Sequence, residues 1–183
     1  MDYASLISKC SKRDNQARET IYQLFSAQMY SIVMRYVGNK VDADDIFQQG
    51  FLQVFVDIGQ VRNPDALPGW IKMVFINTAL RHLKQQKSVL VICRDELNDD
   101  YDNIDNTALV ELEVEKIMDL IQLLPPRCKE VFNLYVIDGF KHQEIADMLA
   151  ISVGSSKSYL HEAKQKLMAE VNLLNKTYLI NVI

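Results

Sequence analysis

Between Ala17 and Tyr36, apolar side chains fall at Ile21, Leu24, Phe25, Met29, Ile32, Val33 and Tyr36, the three-and-four spacing of one helical face. Gly38 and Asn39 stop that helix. A second helix is predicted from Ala43 to about Val56, with Asp42 as its N-cap and Ile46, Phe47, Leu52, Val54 and Phe55 placed to pack on a neighbour. Three acids in its first turn suit the helix dipole. A loop follows from Gly59 to Pro68, in which Asn63-Pro64 favours a turn. The third helix, Trp70 to about Gln86, is apolar early (Ile71, Val74, Phe75, Ile76, Leu80, Leu83) and basic late.

Periodicity lapses over Ser88 to Thr107, a polar and acidic stretch with the character of a linker. It resumes from Leu109 to Leu124, and Pro125-Pro126 ends that helix and starts another, with Val131, Phe132, Leu134 and Tyr135 on the buried side. After a turn at Asp138-Gly139, Ile145, Ala146, Met148 and Leu149 pack one short helix, Ala150-Ile151 turns, and Ser152 caps the next. Ile151, Leu160, Ala163 and Leu167 hold this last helix against its predecessor, which leaves Ser155, Ser156 and Tyr159 facing outward as in a recognition helix. An ordinary helical hairpin in a small bundle has the same spacing. The expected fold is therefore all-α: two small helical domains, residues 1–87 and 108–183, joined by an acidic linker, 88–107.

Charge sharpens this division. From Gly69 to Arg94 there are five bases (Lys72, Arg81, Lys84, Lys87, Arg94) and no acid; from Asp95 to Glu115 there are acids throughout and no base. Two segments with different partners would show such a boundary, although charge runs are commonly just solvated surface. The formal net charge of -4 argues against a free-standing nucleic-acid binder, because phosphate attraction supplies most non-specific affinity. Cys10, Cys93 and Cys128 fit no metal spacing and read as reduced thiols. No P-loop, zinc spacing or nucleophile constellation argues for an enzyme, and neither a cofactor nor a bound metal is expected. With no signal-peptide pattern and no apolar run long enough to span a bilayer, the expected location is the cytoplasm.

Three segments, in order, carry a family resemblance. DADDIFQQGFLQVF, Asp42 to Phe55, resembles the region 2 signature of bacterial sigma-70 factors; WIKMVFINTALRHLK, Trp70 to Lys84, resembles the promoter-reading helix of that region; and LPPRCKEVFNLYVIDGFKHQEIADMLAISVGSSKSYLHEAKQKL resembles region 4. The short acidic join, with no room for an intermediate domain, is similar to that of the extracytoplasmic function (ECF) group. The resemblance implies an alternative sigma factor that binds RNA polymerase core and directs promoter-specific initiation, reading −35 duplex and helping to open DNA at −10. It implies that Asp44, Asp45, Gln48 and Gln49 dock on the polymerase clamp helices. It assigns Asn77, Arg81, His82 and Lys84 to the −10 element, with Arg62 and Asn63 in a pocket for a flipped base, and Ser155, Ser156, Lys157, Tyr159, His161 and Lys164 to the −35 element. The linker would run through the polymerase channel, and an anti-sigma factor is an implied partner. Because core polymerase supplies most phosphate contacts, an acidic sigma factor is no contradiction.

Three departures stand out. Lys141 occupies the position where the family has a capping Ser or Thr, so Glu144 loses its capping-box partner. Gln49 replaces a commoner acid, and the apolar tail Leu173 to Ile183 extends past the motif, where it is expected to cover the region 4 core. Two other readings fit parts of the chain: a free-standing helix-turn-helix regulator, and a helical protein-interaction or inhibitor module.

Overall fold

The computed structural model describes the backbone of residues 2–92 and 111–181, with side chains over 2–86 and 116–172. Every regular element among these is helical. The chain divides into two compact units, Met1–Arg94 and Asp95–Ile183. Most of the expected linker, and with it Cys93 and the acidic run as far as Asp105, lies outside the described residues. The exception is Ser88 to Ile92, which continue a helix rather than begin a linker.

The first unit comprises α1 (Tyr3–Ser11), α2 (Asn15–Val37), α3 (Lys40–Asp57) and α4 (Leu67–Ile92), with short 3-10 turns at Ile58–Gln60 and Pro64–Ala66. Helices α2, α3 and α4 pack against one another, and α1 lies on α2 and on the first 3-10 turn. Ile21, Met29, Val33 and Tyr36 from α2, Ala43, Ile46 and Val54 from α3, and Ile71, Phe75, Ile76 and Ala79 from α4 are wholly buried. At roughly 1.5–3 kcal/mol for each large side chain removed from water, this shared core is what holds the three helices together.

The ends of α2 and α3 explain where these helices start and stop. Asp14 Oδ1 accepts from the Ala17 N–H at 2.9 Å, and Gly38 closes α2 in the left-handed region (φ 77). The cap of α3 is Asn39, not Asp42, and the helix begins three residues earlier than the sequence suggested. Asn39 is extended and its Oδ1 accepts from the Asp42 N–H at 2.9 Å. Only Asp42 of the three acids then lies in the first turn. Its carboxylate is bound on several sides: Asn39 Nδ2 donates at 2.8 Å, Gln86 Nε2 at 2.9 Å, and His82 Nε2 lies 3.3 Å away. Burial pushes the Asp42 pKa up, but the bonds from Asn39, Gln86 and His82 outweigh it and hold the group below its ordinary range.

The second unit contains α5 (Glu111–Gln122), α6 (Pro126–Phe132), a π-turn at Asn133–Ile137, α7 (His142–Leu149) and α8 (Val153–Asn181). Ile121, Leu124, Cys128 and Ala163 form a buried cluster, with Phe132, Tyr159 and Leu167 packed around it. Between α7 and α8, Ala150 takes a left-handed conformation (φ 52), and Ser152 Oγ accepts from the Ser155 N–H at 2.9 Å as the expected cap. At α7, Lys141 cannot accept a cap bond through its ammonium, yet the reciprocal half of the box persists: Glu144 Oε2 accepts from the Lys141 backbone N–H at 2.7 Å. The side chains of the apolar tail lie outside the described residues. Cys10 and Cys128 are buried free thiols, and burial pushes the Cys128 pKa up to about 11. No helix of the described residues is long and apolar enough to cross a membrane.

One contact fixes the approach of α3 to α4. A Cβ added at Gly50 would stand 2.5 Å from Cε1 of the wholly buried Phe75 ring. Overpacking costs about 1–3 kcal/mol, more than the roughly 1 kcal/mol that Gly→Ala returns in helix propensity. Gly50→Ala is therefore expected to lower the urea midpoint of unfolding, and an unchanged midpoint would show that Phe75 has room to move.

Candidate functional site

Three surfaces carry the residues singled out from sequence, two on the first unit and one on the second. The first is a face of α3. Asp45, Gln48 and Gln49 are exposed along it, spaced so that Asp45 shares one side with both amides. Asp44 is half-buried, because its Oδ1 accepts from the Tyr30 hydroxyl at 2.9 Å. That bond, which favours keeping the phenol protonated beside the carboxylate, raises the Tyr30 pKa.

Beside these polar groups lies a groove of about 480 Å3, bounded by Asp44, Gln48, Tyr22, Phe51, Leu52 and Phe55 among others. Its floor is an aromatic cluster: Phe51 is centred 4.8 Å from Tyr22 and 5.1 Å from Phe47. Leu52 is 67% exposed, although its spacing had marked it for the core. Helical periodicity identifies an apolar face without saying whether this chain or another covers it, and here part of the face is uncovered.

The second surface belongs to α4 and the loop before it. Asn77, Arg81 and Lys84 are exposed at i, i+4 and i+7, one stripe of the helix. His82 departs from the expectation that it reads DNA: it is half-buried and turned onto Asp42, with Gln86 Nε2 3.0 Å from its Nε2. It joins α4 to the start of α3 instead. Arg62 and Asn63 are exposed, and Asn63 Oδ1 accepts from the Asp65 N–H at 3.1 Å, capping the second 3-10 turn.

The third surface is the start of α8, where the structure corrects the sequence reading most. Ser156 is wholly buried, not outward-facing, and its Oγ lies 2.9 Å from His142 Nδ1, a hydrogen bond joining α7 to α8. Tyr159 is half-buried against the core cluster. Ser155 is also half-buried, its Oγ 2.9 Å from that of Ser152. Lys157, His161 and Lys164 are exposed, as are Ser158 and Gln165, which the sequence reading missed. At 3.6 residues per turn these five positions fall within an arc of about 120°, opposite Ser156, Leu160 and Ala163. The missed signal was in the sequence: Ser156 stands four residues before Leu160 and seven before Ala163.

The environment of His142 follows from this packing. The Tyr135 ring stacks on it with centroids 4.4 Å apart. Burial lowers its pKa, and Lys157 and Lys164 lower it further. A base whose folded pKa is depressed is more readily protonated in the unfolded chain, so its contribution to stability is complete above the ordinary histidine range, near 6.5, and is lost as pH falls through that range.

The family comparisons fall on these units. The sigma-70 region 2 model matches residues 21–89 and the sigma-70 region 4 model matches residues 114–167. The chain is 23% identical over 155 residues to the ECF RNA polymerase sigma factor SigM of Bacillus subtilis, covering 84% of this chain and 94% of that one. It is 22% identical over 182 residues to the ECF RNA polymerase sigma-E factor of Haemophilus influenzae, covering 93% and 95%. Among solved structures, the sigma factor RpoE of Bartonella quintana, crystallised with the anti-sigma factor NepR, superposes with a TM-score of 0.60 at 14% identity, over 84% of this chain and 96% of that one. With both regions matched in order, the chain belongs to the sigma-70 family of RNA polymerase sigma factors, in its ECF group.

Ser156→Ala leaves His142 Nδ1 without its partner, which is expected to destabilise the chain by about 1–3 kcal/mol. His142→Gln should flatten the fall in stability of the full chain between about pH 7 and pH 5, read by urea unfolding at each pH. An identical pH profile in the variant would mean that His142 protonation is not coupled to folding.

Proposed function

We propose that this protein is an alternative sigma factor that binds RNA polymerase core through the Asp45–Gln48 face of α3 and directs promoter-specific initiation. The observation that carries the reading is one chain holding, in order, both sigma regions, each with an exposed polar face on the helix that its region would use. Arg-rich helices of the core would meet Asp44, Asp45, Gln48 and Gln49 through charge-assisted hydrogen bonds. Asp44 would do so with one oxygen already engaged by Tyr30.

Arg81, Lys84 and Asn77 would meet DNA at the −10 element, the bases on phosphate and the amide on a base edge, with Arg62 and Asn63 holding a flipped base. His82 fits a supporting role, setting the angle from which α4 presents that stripe. At the −35 element, the arc formed by Lys157, Ser158, His161, Lys164 and Gln165 would lie in the major groove. Ser155 and Tyr159 flank that arc, and Ser156 acts beneath it through His142. An overall charge of -4 leaves such an arc weak by itself, and the core supplies the missing phosphate contacts. The protein performs no catalysis of its own and works in the cytoplasm, where the polymerase is. The complex of one related fold with an anti-sigma factor favours a partner of that kind here too.

The direct test is run-off transcription with purified core polymerase on genomic fragments: promoter-dependent transcripts are expected only when the chain is added. Sequence-specific gel shifts by the chain alone, without transcription, would favour a free-standing regulator. Replacing Asp45 and Gln48 together with Ala should weaken core association at least tenfold with helicity intact, and unchanged affinity would remove α3 as the docking helix. Lys157→Ala and Lys164→Ala should each weaken holoenzyme binding across promoter sequences and reduce the salt slope by about one. A changed slope for Ser156→Ala would contradict its inward placement.

A further inference from the structure

Beyond the groove already described, α3 borders a second pocket of about 530 Å3, lined by Arg13, Arg18, Leu52, Phe55 and Val56 among others. Leu52 and Phe55 border both cavities, so the two form one continuous strip. The strip is acidic at the end lined by Asp44, beside the exposed Asp45, aromatic and aliphatic in the middle, and cationic at the Arg13 end. From Asp45 to Val56 is three helical turns, about 16 Å.

The cationic end has an unmet demand. Arg18 lies over the Phe55 ring, its guanidinium carbon 5.5 Å from the centroid. Its Nε is removed from solvent and finds no acceptor among the described residues. A buried donor without an acceptor costs about 1–3 kcal/mol, so the site is suited to a bound acceptor that the free chain lacks. Arg13 sits at the end of α1 in a left-handed conformation (φ 63), with its N–H donated to the Cys10 carbonyl at 2.9 Å. Glycine would be cheaper there by roughly 1 kcal/mol, so the position holds a long cation at the pocket edge against backbone preference.

The walls indicate which acceptor. Leu52 and Val56 are 67% and 76% exposed, more apolar surface than a hydrated phosphate would need beside it. We propose that the Arg13–Arg18 pocket receives an Asp or Glu carboxylate from a helix of RNA polymerase core whose aliphatic side chains cover Leu52 and Val56. This rests on the docking role of α3 and extends it: the complementary helix carries basic residues opposite Asp45, aliphatic residues in the middle and an acid at the far end. Two arginines around a carboxylate offer the forked donors that bidentate recognition requires.

The test measures affinity of labelled full-length chain for core polymerase, by fluorescence anisotropy over a salt series. Arg13→Glu, an exposed change, and Arg18→Gln are each expected to weaken binding roughly tenfold and to reduce its salt dependence, with Leu52→Ala weakening it at all salt concentrations. Unfolding midpoints of each variant separate lost binding from lost folding, and Arg13→Glu, away from the core, carries the result should Arg18→Gln unfold. Full affinity in the arginine variants, while Asp45→Ala with Gln48→Ala binds weakly, overturns the pocket and leaves the docking face standing. Full affinity in all variants overturns both. Unchanged core binding combined with reduced promoter capture by the holoenzyme would assign the pocket to nucleic-acid phosphate and overturn the carboxylate.

Discussion

The N-terminal unit depends on how closely α3 can lie against α4. At one end of the junction Gly50 lets the Phe75 ring touch the α3 backbone, and at the other the Asp42 carboxylate gathers Asn39, His82 and Gln86. The first contact is steric and sets a distance. The second is polar and sets a rotation, because the cap residue before α3 and two side chains of α4 gather around one carboxylate only in one orientation. Whatever α3 and α4 each bind, this junction fixes the angle between the two faces.

The same use of polar side chains within the fold recurs in the C-terminal unit. His142 and Ser156 join α7 to α8, as His82 and Asp42 join α4 to α3. In both places a histidine holds one working helix against its neighbour. A ring nitrogen can accept or donate, which makes histidine a good cross-brace where the partner is a hydroxyl or a carboxylate.

Much of this was legible in the sequence. The helices after α1, the turn at Ala150, the cap at Ser152 and the division into two units follow from periodicity and from capping and turn chemistry, whereas α1 was not anticipated. What escaped was the destination of individual polar groups. Asn39 and Asp42 are both good caps, and the carboxylate of Asp42 is engaged instead by Gln86 and His82, forty or more residues away. Ser156 was judged by its polarity, when its register with Leu160 and Ala163 placed it inside. Leu52 presented the converse problem: apolar at core spacing, yet left uncovered by the chain's own helices.

The burial of Ser156 also bears on how new promoter preferences could arise. Since that hydroxyl is bound to a histidine on the preceding helix, drift at this position must first survive a loss of foldedness, whereas Lys157, Ser158, His161, Lys164 and Gln165 can vary with little structural penalty. With the promoter-reading role proposed for that arc, a lineage diversifying its regulon would find its raw material in those five sites, and a library aimed at retargeting the protein should randomise them while holding the serine fixed.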